Sequence, residues 1–459
     1  MSTAVTWIGE AASGREAPGF SPHATGLANQ AALQRAVDGG GTVAVMQPGT
    51  YRLAGTVYVG SDTTLVFGAG VVIAKVDEAG PFSHVLLNKG ARTRQPDHRI
   101  AVHGLRIAVN GMDVRTFADV FGLHGQIAFS HVRDLRITGF RCDDLGSAQY
   151  GIHVCSFEDL LIDDVIIRGN KDGVHLGRGK RFAIRNGVFQ TFDDAIALNG
   201  HDYDVGNPEL GWIEDGIVES CHDLNQERTT GYFARILAGG WCDWHAGMTV
   251  RKSDTVASHG RLYRVRADPD GQVFTSHTPP IHATGGQVID GIRWEVVQEY
   301  VTYTAGVRNV VFRDIFLHKP RVGFSIHFDN DRYSRSYYPG AAVPVQQNVR
   351  LEGVQVLHDG DTPLVSANTP LDVLTIRDCR VGRGGLHFGD NGALGDHAPT
   401  HVRMTGCTFA AAEPMTLVCN KVPGKRVTLR VADSAVLHAG FAAKVEGEVD
   451  AEGDLPGIK

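Results

Sequence analysis

Three aspartates carry the chemistry in this sequence: Asp172 in GNKDGVHL (169–176), and the adjacent pair Asp193 and Asp194 in TFDDAIAL (191–198). Written under one another with SAQYGIHV (147–154), these segments fall into register at offsets of 22 and 22 residues. Tyr150, Asp172 and Asp194 then share one column, and His153, His175 and Ala197 another. If the segments are successive rungs of a parallel sheet, neighbours in a column lie ~4.8 Å apart. Carboxylates that close repel, so at least one of the three is expected to have a raised pKa. A single Asp at such a turn usually caps the backbone through its side chain. Three in register are costly for structure alone and suit acid/base chemistry on a glycosidic bond. Calcium is the alternative ligand for the same acids.

A repeat supplies the rungs. Apolar pairs recur at Leu135/Ile137, Leu160/Ile162 and Phe182/Ile184, and again at Val310/Phe312, Val349/Leu351, Leu374/Ile376, Val402/Met404 and Val427/Leu429. The period of 22–28 residues, with short alternating segments split by Gly, Asn or Asp, fits one coil of a parallel β-helix. Leucine-rich repeats share the period, but their fixed Asn and leucine ladder are missing. The fold class is therefore all-β: a single-stranded right-handed parallel β-helix with an N-terminal helical cap and a small inserted β module. Its parts are 1–245 (cap and first coils), 246–298 (insert) and 299–459 (later coils and C-terminal cap). The cap helix is read from Asn29 as N-cap through Val37. The insert has a turn at His259–Gly260, and Tyr263 and Trp294 serve either as sugar-stacking residues or as its core.

Composition excludes several classes. The 459 residues carry 44 Lys plus Arg against 51 Asp plus Glu, a net charge of −7, with 42% hydrophobic residues. No basic excess points to nucleic acid, and no apolar run reaches the ~18 residues of a membrane span. Seven cysteines, none in a CxxC pair, read as buried small hydrophobes of a reducing compartment. The first thirty residues lack a basic start followed by an apolar stretch. The protein is expected to be cytoplasmic, or secreted with its signal already removed. A homo-oligomer is compatible with the pattern.

The opening ANQAALQRAVDGGGTVAVMQPGTYRL resembles the N-terminal part of the pectate-lyase superfamily of right-handed β-helices. Asn170-Lys171-Asp172-Gly173 followed by Asp193-Asp194 resembles the NTD…DD pattern of the polygalacturonase-like glycoside hydrolases, family 28. That resemblance implies an inverting hydrolase that requires no cofactor. It makes Asp193 the general acid, with Asp172 and Asp194 holding the attacking water. The family's Gly-His-Gly and Arg-Ile-Lys motifs are absent, and Arg235 in FARIL is the nearest basic residue to a uronate clamp. Polygalacturonate is therefore not implied as the substrate.

Further substrate contacts are read from register and composition. His153, His175 and His327 form an expected file of imidazoles, with His327 placed in their column by GFSIHFDN (323–330). The loop HDYDVGNPE (201–209) brings His201, and its Asp202 and Asp204 are weak calcium candidates. The loop DNDRYSRSYYPG (329–340) brings Arg332, Arg335, Tyr337 and Tyr338. Aromatic faces stack on sugar rings and Arg forks pair with carboxylate or sulfate. The alternative for this loop is packing over the side of the helix. The rival functions are a polysaccharide lyase, with Arg235, His175 or Tyr338 as base, and a non-catalytic tailspike-like glycan binder.

Overall fold

The computed structural model describes residues 14–114, 119–389 and 400–458. The chain divides into two compact units. The first holds the described residues up to His175 together with Arg181–Asp193, and the second holds Leu176–Lys180 and those from Asp194 onward. Each is a stack of parallel coils with the architecture of a right-handed parallel β-helix.

In the first unit, one interior column runs Val43–Leu65–Val102–Ile137–Ile162, residue over residue in parallel register. All five side chains are buried. Alternation explains this: inward positions are apolar and outward ones polar, so each coil adds one layer to a continuous core. The helix Gly26–Asp38 buries Ala32, Leu33, Ala36 and Val37. Its N-cap is Thr25, whose hydroxyl accepts from the Ala28 amide, and not Asn29. Asn29 lies one turn inside the helix and is fully buried. It donates to the Ser21 and Arg52 carbonyls (3.0 and 2.9 Å), and so ties the cap to the chain around it.

In the second unit the ladder runs Val218–Phe312–Leu351–Ile376–Met404–Val431. The final rung departs from the sequence expectation. Val402 lies beside Leu429 and Met404 beside Val431, two residues beyond Val427/Leu429. The same apolar alternation fits both registers, and only the loop length between coils decides. These strands turn a corner within their length, where Asp215, Asn309 and Asn348 are left-handed (φ 55°, 55° and 51°). Asn and Asp tolerate that region better than other side-chain-bearing residues. Here they also bond along the stack: Asn309 Nδ2 donates to Asp215 (3.0 Å), and Asn348 Nδ2 to Asn309 (3.0 Å).

Strands between Cys242 and Gln298 form separate, mainly antiparallel sheets. The expected turn at His259–Gly260 joins Thr255–Ser258 to Arg261–Arg266, with positive φ at both residues (47° and 78°), as a two-residue hairpin requires. Tyr263 and Trp294 are fully buried among Val250, Val256 and Val265. They form the core of these strands and are not sugar platforms. Among the described residues, no helix is long and apolar enough to cross a membrane.

Arg264 anchors these strands to the parallel coils. It is buried, and its guanidinium donates to the carbonyls of Tyr203, Gly206 and Asn207 (2.8, 2.7 and 3.0 Å). Replacing Arg264 with Met leaves those carbonyls unsatisfied, a loss expected to exceed about 2 kcal/mol. Urea unfolding checks this, and a loss below about 0.5 kcal/mol would remove Arg264 from that role.

Candidate functional site

The first unit contributes Tyr150, His153, Lys171, Asp172, His175 and Asp193. The amides of Gly151 and Ile152 donate to the carbonyls of Asp172 and Gly173 (both 3.0 Å), which sets Tyr150 beside Asp172 as the register predicts. Asp172 is 2% exposed. Its Oδ2 accepts from His175 Nδ1 (2.9 Å), a contact that fixes both rings and carboxylate. His175 stacks on Tyr150 with centroids 4.2 Å apart and meets His153 edge-on at 4.7 Å. His153 Nδ1 accepts from the His124 amide (3.0 Å). These two histidines are buried within the wall, so they orient their neighbours instead of presenting donors to solvent.

Asp172 and Asp193 offer carboxylate oxygens within 4.8 Å of each other. Between them lies Lys171, whose ammonium pairs with Asp193 and sits 3.4 Å from Asp172. Lys171 belongs to the Asn170–Gly173 segment of the sequence motif. It supplies the positive charge that the carboxylates need, so their mutual repulsion is offset from within the motif. A calcium ion on Asp172 and Asp193 would have to displace that ammonium. The Asp193 side chain is 24% exposed, the most accessible group of the cluster.

In the second unit, Asp194 follows Asp193 directly in the chain. Asp194 is 1% exposed and accepts from the Tyr232 amide (2.9 Å). Arg235 pairs with Ala197 and Ser325 across the parallel ladder. His327 lies beside Leu237 instead. It therefore falls outside the rank of Ala197, the column expected to continue from His153 and His175, by two positions. It keeps the same face and accepts or donates at Ser325 Oγ (2.9 Å) and lies 3.3 Å from Asp329. Arg235 is buried and holds Asp329 with contacts of 3.0 Å to both carboxylate oxygens. Burial alone would raise Asp329, but Arg235 and His327 outweigh it and hold the carboxyl down at about 2. The guanidinium also lies over the Tyr203 ring at 5.4 Å. Arg235 is thus already engaged by a carboxylate of the chain. Nothing local in the sequence marks Tyr232, and nothing in the 329–340 loop distinguishes Asp329 from its neighbours.

The remaining expected contacts lie elsewhere. His201 is fully buried, 3.3 Å from Thr255 Oγ1. Asp202 caps the Tyr203 amide (2.8 Å), and Asp204 lies 3.6 Å from Lys252. Arg335 Nε donates to Asp254 (2.6 Å), Tyr337 is buried with its hydroxyl on the Ala341 carbonyl, and Tyr338 reaches the Thr249 carbonyl. Arg332 is exposed and lies over the Tyr333 ring. Arg335 and Tyr338 pack on the antiparallel strands and Tyr337 on Ala238 and Phe328, whereas Arg332 and Tyr333 are exposed.

No protein-family model and no curated protein matches the sequence. Among solved structures, the chain is similar to a family 28 exopolygalacturonase of Yersinia enterocolitica, with 10% identity, TM-score 0.48, and coverage of 96% of this chain and 78% of that one. It is also similar to a tailspike protein mutant of E. coli bacteriophage HK620 in complex with pentasaccharide (10% identity, TM-score 0.45, coverage 94% and 75%). A third is the Streptococcus pneumoniae surface protein and adhesin PfbA (13% identity, TM-score 0.43, coverage 96% and 99%). These are parallel β-helix proteins. At such identities and TM-scores the likenesses assign no activity.

Burial sets a pH dependence. It pushes His201 down to about 3 and His84 down to about 4, below the ordinary value near 6.5. Between about pH 6.5 and 4 the unfolded chain binds protons at both sites that the folded chain refuses. Their contribution to stability is full above pH ~6.5 and is lost as the pH falls toward 4. The urea midpoint should drop from pH 7.5 to pH 5. His201→Gln should flatten that slope, whereas His245→Gln, at an exposed position, should leave it unchanged.

Proposed function

We propose that the protein hydrolyses glycosidic bonds of a poly- or oligosaccharide with inversion, using Asp193 as general acid and Asp172 and Asp194 to hold water. The observation that carries this reading is the contrast in burial and restraint. Asp193 has a side chain 24% exposed, able to reach a leaving-group oxygen. Asp172 and Asp194 are 2% and 1% exposed, each fixed by a hydrogen bond, from His175 and from the Tyr232 amide. Fixed acceptors position a water, and an accessible carboxyl meets a substrate.

In the reaction, Asp193, turned off Lys171 and with its carboxyl protonated from solvent, gives that proton to the glycosidic oxygen as the bond to the anomeric carbon breaks. Water attacks that carbon from the opposite face and passes a proton to the buried carboxylates. An inverting pair keeps ~6.5–9.5 Å between its carboxyls to admit the water. The oxygens of Asp172 and Asp193 approach within 4.8 Å because Lys171 draws them together. Inversion therefore requires Asp193 to turn off Lys171 when a sugar enters. Without that movement the spacing suits retention, near ~5 Å.

The lyase reading finds less support. Arg235 is held by Asp329, His175 by Asp172, and the Tyr338 hydroxyl by a backbone carbonyl. In this reading no metal takes part, so a chelator should leave activity unchanged. Asp193→Asn should reduce hydrolysis by at least about 10³-fold, the scale of general acid catalysis. Proton NMR of the first-formed product should show the anomer opposite to the substrate's. Retained configuration would overturn the single-displacement scheme, and full activity in Asp193→Asn would overturn the acid's assignment.

A further inference from the structure

The later coils of the second unit carry a cleft of about 640 Å³ that the Asp chemistry does not use. Loops of three successive coils line it, at 356–361, 380–387 and 410–416. Its hollow has a local cause in the sequence VGRGGLHF (381–388). A Cβ at Gly384 would stand 1.8 Å from the Thr362 carbonyl oxygen, and one at Gly385 2.3 Å from that of Thr416. At Gly382 it would meet Val356 at 2.8 Å. The glycines press this coil onto both neighbours, where no side chain fits. Arg383 alone projects from the run.

The lining is highly charged yet internally unpaired. Arg380, Arg383, Asp359, Asp361 and Glu413 all face the cleft. None of the five side chains makes an ion pair or side-chain hydrogen bond with any described residue, and Arg380 Nε is buried without a partner. On these and the adjoining coils some exposed charges are paired, Arg313 and Arg377 with Glu352 and Arg430 with Asp450. Charges kept apart in one recess are available to a ligand. Two guanidinium groups favour a carboxylate or sulfate, which they grip through paired N–H donors. Three carboxylates accept from hydroxyls and repel a ligand carrying several negative charges. No Phe, Tyr or Trp lines the cleft, and its ring side chains are the imidazoles of His358 and His387. The volume lies within the usual range of small-ligand sites.

We infer that this cleft is a second glycan site, which binds a short, hydroxyl-rich saccharide bearing a single carboxylate or sulfate group. The inference goes beyond the hydrolase reading and does not depend on it. The anion lies against Arg380 and Arg383, and the sugar hydroxyls donate to Asp359, Asp361 and Glu413. The site contains none of the catalytic aspartates, so its role is to hold a chain.

The test is calorimetric titration of the Asp193→Asn protein, in which turnover is suppressed. Three probes suffice: an aldotriouronic acid with one uronate on two neutral sugars, a carrageenan-derived sulfated disaccharide, and neutral xylotriose. At least one acidic probe should bind at least tenfold more tightly than xylotriose. Binding by one acidic probe alone identifies the anion as carboxylate or sulfate. Arg380→Gln with Arg383→Gln should weaken the acidic probe at least tenfold, with the thermal transition checking the fold. Arg383 is exposed, so Arg383→Glu alone provides a second variant that leaves packing intact. Equal binding of acidic and neutral probes, affinity unchanged in both Arg variants, or no binding of either acidic probe at millimolar concentration would each overturn the inference.

Discussion

The coils of this protein depend on the spacing of parallel rungs. Residues one coil apart are neighbours about 4.8 Å away on the same face. Any residue type therefore has to be compatible with itself, or with a chosen partner, at that distance. Inside the first unit the answer is apolar stacking, as in Val43–Leu65–Val102–Ile137–Ile162. At corners of the second it is amide bonding along the Asp215–Asn309–Asn348 ladder. Outside, like charges cannot stack unless something separates them. Lys171 does this for Asp172 and Asp193, and Arg235 neutralises the buried Asp329. The chemical groups are held by the same rule that builds the core.

That rule made much of the molecule legible. The apolar pairs reveal the coils, and the offsets alone put Tyr150 beside Asp172 and His153 beside His175, as in the structure. Legibility ended where loops intervene. The rung at Leu429/Val431 and the position of His327 each slipped by two residues, a shift that preserves which face a side chain occupies. Period-two patterns cannot detect such a slip. The cap was read one turn late because Asn29 and Thr25 are both good N-cap types, and only the hydroxyl contact to Ala28 separates them. Lys171 was overlooked as a residue between two acids, where its meaning lies in contacts 22 residues apart.

The antiparallel strands show a different economy of side chains. Residues that look like sugar binders in a list are here packing devices: Trp294 and Tyr263 fill a small core, and Tyr338 lies against it. Arg335 pairs with buried Asp254, and Arg264 clasps the 203–207 backbone. The module meets its neighbours through a buried apolar cluster of Ala257, Leu262 and Val297 with Leu210, Trp241 and Ala305, and the buried guanidinium contacts add direction to it. The 201–209 and 329–340 loops are therefore held from outside the coils, which stiffens two segments that flank Asp194 and Asp329 in the chain.

The central claim is that the aspartates break a glycosidic bond by adding water. Its most direct test follows reducing ends and the ultraviolet absorbance of unsaturated uronates together, over a panel of neutral and acidic polysaccharides. New reducing ends without absorbance are predicted. Absorbance rising in step with reducing ends would contradict hydrolysis, and would return the aspartates to a role in substrate or metal binding.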